Sequence, residues 1–124
     1  MIYYVDGFTI GGNPSRIGGG FTVLDQAGNL IERREVRRYF TNNEGELLGI
    51  AYAISKAEPA DEIRTDSQCA VAWVNNGWSK ARPDLGELCA ESRRVLERKG
   101  LVLRWVRREQ NLAGVWNEEH DHDV

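Results

Sequence analysis

The stretch Ile2-Tyr3-Tyr4-Val5-Asp6-Gly7-Phe8 decides the reading of this chain. Its apolar and aromatic run has the composition of a strand, and Asp6 closes it. The same design returns sixty residues later as Glu62-Ile63-Arg64-Thr65-Asp66-Ser67. Two carboxylates therefore stand where two strands end. Between them, Thr41-Asn42-Asn43-Glu44-Gly45-Glu46-Leu47 opens the longest helical pattern of the chain and puts Glu46 in its first turn. Three acids, each at the end of a regular element, suggest a metal-binding cluster.

The elements between these points follow from turn formers and periodicity. Gly11-Gly12-Asn13-Pro14-Ser15 and Gly18-Gly19-Gly20 are too rich in turn residues for regular structure. Phe21 to Leu24 reads as a second strand, Ala27-Gly28-Asn29 as a hairpin turn and Leu30 to Phe40 as a third strand. Leu47, Ile50, Ala51 and Ile54 recur on one helical face, so a helix is expected from about Asn43 to Ala57. Ile63 to Thr65 makes a fourth strand, which a right-handed crossover sets parallel to the first. Ser67 caps a short helix that Asn75-Asn76-Gly77 stops, and Asp84 with Glu87 forms a capping-box start for a helix running to Gly100. Leu101 to Val106 fits a fifth strand, and a last helix begins near Asn111. The order is βββαβααβα, an α/β chain without internal repeats.

At 124 residues the chain suits one core, read as a domain over 1–119 with a polar tail over 120–124. No apolar run approaches the roughly 18 residues of a membrane span, and no secretory signal opens the chain, so a soluble cytoplasmic protein is expected, complete from its initiator Met. In that setting Cys69 and Cys89 read as reduced packing residues, although spacing alone leaves a bridge open. The net charge of −3 argues against nonspecific coating of nucleic acid, which needs clustered cations. Local recognition remains open, since Arg33, Arg34, Arg37 and Arg38 form one of three basic runs. Trp78, Lys80 and Arg82 join a cation to an aromatic in a loop suited to a sugar-phosphate track, and Trp78 equally suits the core. No Gly-Lys-Ser or Gly-Lys-Thr follows the glycines, which argues against a nucleotide-triphosphate loop. His120 and His122 lie on a tail too poorly preorganised to favour a transition metal.

Taken singly, each acid has a bland explanation. Asp6-Gly7 is a common turn pair, Glu46 can close a capping box with Asn43, and Asp66-Ser67 can be only a helix start. Their joint placement points to chemistry, because three convergent carboxylates repel one another without a cation and hard divalent ions such as Mg²⁺ take oxygen ligands.

The motifs YVDGF, TNNEGEL and TDSQ, with the glycine clusters between them and in this element order, resemble a type 1 ribonuclease H from Ile2 to about Asn111. The resemblance implies a ribonuclease H-like, mixed five-stranded sheet flanked by helices, with three antiparallel strands followed by two parallel ones. It implies a metal-dependent endonuclease that hydrolyses the RNA strand of an RNA/DNA hybrid through two Mg²⁺ ions, with Mn²⁺ as a possible substitute. Asp6, Glu46 and Asp66 match metal ligands of the family, and Asp6 would bridge both ions. Gly7, Gly12, Asn13, Asn43 and Gln68 would meet 2′-hydroxyls and base edges in the shallow minor groove, Thr41 a phosphate of the DNA strand, and Lys80 and Arg82 the backbone. A monomer is expected.

The pattern fails at one place. The family's fourth acid stands four residues after an Asn that opens the last helix, and here that position is Val115. Asn117 ranks first as a substitute ligand and catalytic residue because a small phase shift of the helix exchanges it with Val115. Glu118 ranks second, and Glu119 would need an axial shift of about 6 Å. A neutral ligand predicts weaker use of Mg²⁺ and relatively better activity with Mn²⁺. The loop Arg107-Arg108-Glu109-Gln110 lacks the family's usual His, so its role is absent or passes to an arginine. The Lys-rich protrusion of some members is also missing. The competing readings are a weakened or inactive hybrid-binding module of the same fold, a nuclease or strand-transfer enzyme preferring DNA, and a piece of a polymerase.

Overall fold

A computed structural model describes residues 1–120. Five strands, β1 (Ile2–Thr9), β2 (Gly19–Asp25), β3 (Leu30–Val36), β4 (Glu62–Thr65) and β5 (Val102–Trp105), form one mixed sheet in the order β3-β2-β1-β4-β5. The first three pair antiparallel, whereas β1–β4 and β4–β5 are parallel. Helices α1 (Asn42–Lys56), α2 (Gln68–Asn76), α3 (Gly86–Lys99) and α4 (Leu112–His120) flank it. The mixed α/β architecture is the expected one.

Alternation along the strands divides the core. Val5, Val23 and Ile63 point to one face, where Leu47, Ile50, Ala53 and Ile54 of α1 and Val74 of α2 cover them. Tyr4 and Leu24 point to the other, where Ala113 and Trp116 of α4 pack. The helical stripe of α1 uses Ala53, while Ala51 is only half-buried. Gly49 lets this helix lie on the sheet, because a Cβ there would stand 2.5 Å from the Val5 side chain.

The local signals hold in most places. Ser67 accepts from the Ala70 amide at 3.1 Å and caps α2, and Gly77 ends that helix at a φ of +73°. Gly28, at a φ of +85°, closes the β2–β3 hairpin over the Asp25 carboxylate. Lys99 donates to the carbonyls of Ile54, Ser55 and Ala57 at 2.9–3.2 Å, so the last turn of α3 satisfies the end of α1.

Several boundaries differ. The third strand stops at Val36 rather than Phe40, because its partner β2 begins at Gly19, which pairs with Val36. Phe40 returns to pair with Ser15 and is fully buried. No capping box starts α3. A 3₁₀ turn over Pro83–Leu85 leads into it, and Asp84 instead accepts from Arg82 Nε at 3.0 Å and Nη2 at 2.8 Å. Cys89 is a buried packing residue as expected, but Cys69 is exposed, and both are free thiols. α4 continues through His120, whose ring stacks on Trp116 at 3.8 Å, instead of fraying there. The rest of the expected tail, 121–124 with His122, lies outside the described residues. Among the described residues no helix is long and apolar enough to cross a membrane.

Candidate active site

The register of the sheet brings the first and third acids together. Val5 pairs with Thr65, the last residue of β4, so β1 runs on with one flank open, and Asp6 and Asp66 come next on either side of that gap. α1 enters over the same edge. Its N-terminal end approaches β1 so closely that a Cβ on Gly7 would lie 2.5 Å from the Glu46 nitrogen; because the helix starts at Asn42, its first turn holds Glu44 and Glu46 falls just beyond it rather than within it. Glycine at position 7 thus sets how near Glu46 comes to Asp6. Thr41 caps this helix by accepting from the Glu44 amide at 3.2 Å, and Asn13 accepts from the Asn42 amide at 3.0 Å.

Carboxylate oxygens of Asp6, Glu46 and Asp66 all lie within 4.8 Å of one another. Asp6 and Glu46 are buried, at 4% and 2% exposure, and Asp66 is half-buried. Burial, opposed by the Asn117 hydrogen bond, pushes the Asp6 carboxyl up to about 6. Burial and then the charge of Asp6 hold Glu46 well above the ordinary carboxylate range, although the Gly7 amide donates to it. Thr65 Oγ1 also donates to Glu46 Oε2 at 3.0 Å. Both shifts disfavour the charged forms of these acids, a cost that a divalent cation would offset, and an all-oxygen donor set on this scale fits a hard ion.

Each acid is held by neighbours. Asn117 Nδ2 donates to Asp6 Oδ2 at 2.8 Å, while its oxygen accepts from Thr22 Oγ1 at 2.6 Å. Asn111, fully buried, donates to the Val5 carbonyl at 2.8 Å and to Asp66 Oδ1 at 3.3 Å. The Trp105 indole donates to the Asp66 carbonyl at 3.1 Å. The α4 face over Asp6 consists of Gly114 and Asn117. A Cβ on Gly114 would lie 3.7 Å from Asp6 Cγ, whereas Val115 turns outward at 38% exposure. Asn117 thus reaches Asp6, and it does so with its Nδ2–H. Glu118 lies outside the three-acid group and pairs with Arg108, Oε1 to Nε, at 3.2 Å.

Two hollows meet at this cluster. The larger, about 490 Å³, is lined by Glu46 and Asp66 together with Asn43, Gln68 and Trp105. The smaller, about 200 Å³, is lined by Asp6, Gly7, Asn13, Asn117 and Glu118. Arg108 lines both and reaches Asp66 Oδ2 with Nη1 at 3.7 Å. Gly12 and Lys80 are exposed and line neither. Arg82 does not project freely: it is half-buried, donates to Thr41 Oγ1 at 3.1 Å and pairs with Glu44 at 3.3 Å. Arg38 pairs with the same buried Glu44 at 2.6 Å. Trp78, at 54% exposure, stands outside the core.

The sequence alone gives no role in the site to Thr22, to Gly114 or to the Glu44–Arg38 pair, and none to the bond that ties Arg82 to Glu44. Thr22 is set beside Asp6 by the β1–β2 register, which no local feature of the sequence records. Asn111 was seen as a helix start, but its bond to the strand depends on tertiary docking.

No family model and no curated protein sequence matches the chain. Solved structures do. The RNase H1 from the halophilic archaeon Halobacterium salinarum is 23% identical with a TM-score of 0.69, over 97% of this chain and 96% of that one. LC11-RNase H1, isolated from compost by a metagenomic approach, is 26% identical with a TM-score of 0.67, over 97% and 94% of the two chains. A second structure of it, in complex with an RNA/DNA hybrid, is 25% identical with a TM-score of 0.63, over 89% and 87%. The chain has a type 1 ribonuclease H-like fold.

Proposed function

We propose that the chain is a metal-dependent ribonuclease H that cuts the RNA strand of RNA/DNA hybrids. The observation that carries this reading is the convergence of Asp6, Glu46 and the half-buried Asp66 at the open edge between β1 and β4. Likeness to RNase H1 structures, one of them with a bound hybrid, supports the substrate class.

Asp6, Glu46 and Asp66 would hold Mg²⁺, or Mn²⁺ in its place. Two such ions supply Lewis-acid polarisation of the phosphodiester and a lower pKa for the attacking water. The chain's own contribution is preorganisation. Asn117 holds Asp6 in place, Thr65 orients Glu46, and Asn111 and Trp105 fix the Asp66 segment. Arg108 offers a permanent positive charge beside the cluster and takes the role that a His fills in the family's loop. Asn43 and Gln68 face the larger hollow as readers of 2′-hydroxyls, with Gly7 and Asn13 beside the smaller one and Gly12 on the loop before it. Thr41 and Arg82, already joined to each other, form the place for a phosphate of the DNA strand, and Lys80 extends the track.

A second reading, a hybrid-binding module without turnover, is favoured by Gly114 and Val115, which leave no fourth carboxylate against Asp6 among the described residues. Labelled RNA/DNA hybrid, duplex RNA and duplex DNA, each with Mg²⁺, Mn²⁺ or chelator, separate the two. Metal-dependent cutting of RNA in the hybrid alone supports the enzyme. Binding of hybrid without cutting in either metal supports the module.

A further inference from the structure

Arg108 belongs to a 3₁₀ turn between β5 and α4, and its guanidinium lies between two carboxylates of different standing. On one side is Asp66 at 3.7 Å, the half-buried member of the three-acid cluster. On the other is Glu118 at 3.2 Å, an α4 residue with its side chain 60% exposed and not part of that cluster. A guanidinium stays charged at every working pH. Any divalent cation bound to Asp66 thus meets a resident positive charge, and the only acid drawing that charge aside among the described residues is Glu118.

We propose that Arg108 is the cluster's tethered counter-ion, competing with the divalent cation for Asp66, and that Glu118 is a positioning residue that strengthens cation binding by holding Arg108 back. The inference rests on the metal-site reading above. It gives two neighbouring residues of opposite charge opposite effects on one binding constant, and it makes the effect of Glu118 depend on Arg108. It also gives Arg108 a path. Once a cation takes Asp66, the guanidinium stays on Glu118, at the wall between the two hollows, where a phosphodiester anion would meet it.

The test is calorimetric titration of Mn²⁺ into the full chain near neutral pH without nucleic acid, for wild type, Arg108→Gln, Glu118→Gln and the double variant. Both side chains are more than half exposed, so the variants keep the fold. Arg108→Gln tightens Mn²⁺ by about 2- to 5-fold and Glu118→Gln weakens it by about 2- to 5-fold, the range that an exposed charge pair commands. In the double variant the loss from Glu118→Gln shrinks or vanishes, since the carboxylate acts through the arginine. A loss that persists undiminished makes Glu118 a direct ligand and overturns the proposal, as does unchanged or weaker binding in Arg108→Gln. A wild-type chain that takes up no more Mn²⁺ than Asp6→Asn removes the metal-site reading itself, and this inference with it.

Discussion

Asp6 is the residue on which most of the site converges: it touches Asn117, faces Gly114 and shares its charge with Glu46. Asp6→Asn removes one of several crowded carboxylates, so hybrid cleavage is lost while the metal-free protein melts at the same or a higher temperature near neutral pH, as scanning calorimetry would show. Asn117→Ala strips the donor that opposes the rise of the Asp6 pKa and leaves Thr22 without its partner. It costs about 1–3 kcal/mol in stability. It also moves the acid limb of the cleavage profile to higher pH, because Asp6 then gives up its proton later. The three acids were legible in the sequence because each sits near a strong local signal, although Asp6 lies inside β1, which runs on to Thr9 and pairs Asp6 with Thr22, rather than at the strand's end. The mode in which Asn117 acts was not, since which atom of an amide faces a neighbour is settled by the docking of α4 and the Thr22 hydroxyl on β2. The Arg108–Asp66 pair was hidden for the same reason.

The element that sets the geometry is α1, and its spacing from β1 rests on Gly7. Gly7→Ala places a methyl group against backbone atoms of Asn42 and Glu46. It should destabilise by about 1–3 kcal/mol, measured by urea unfolding, and cut activity more than its stability loss explains, because Glu46 is carried away from Asp6. An unchanged activity would mean that the approach of α1 does not position Glu46. The strand and helix order was legible throughout, whereas several boundaries were not: β1 continues past Asp6 to Thr9, and β2 starts at Gly19 inside the glycine cluster rather than at Phe21. The end of β3 and the start of α3 show why. β3 ends where its partner begins, a fact of pairing that its own Arg-rich composition does not record. The start of α3 looked like a capping box, yet Asp84 spends its oxygens on Arg82, which Glu44 and Thr41 hold from α1. In both cases a long-range partner outweighed a local preference.

Across the whole molecule, the acid cluster couples folding to pH and to metal. The Asp6 carboxyl, at about 6, holds its proton more tightly in the folded chain than in the unfolded one, and Glu46 is shifted the same way. This contribution to stability is therefore fully present below about pH 4, the unfolded value, and is lost as pH rises through the folded values. For Asp6 it is on the order of 3 kcal/mol. Melting temperatures of the metal-free protein should fall between mildly acidic and neutral pH, and Mg²⁺ or Mn²⁺ should restore them at neutral pH but not at acid pH. A chelator-treated protein whose stability rises steadily over that interval would show that the cluster does not govern it. The most direct examination is anomalous diffraction from crystals grown with Mn²⁺ and a hybrid bound to the chain. A Mn²⁺ peak in contact with oxygens of Asp6, Glu46 and Asp66 is the expected result. Ordered hybrid with no Mn²⁺ peak at these three carboxylates would contradict it.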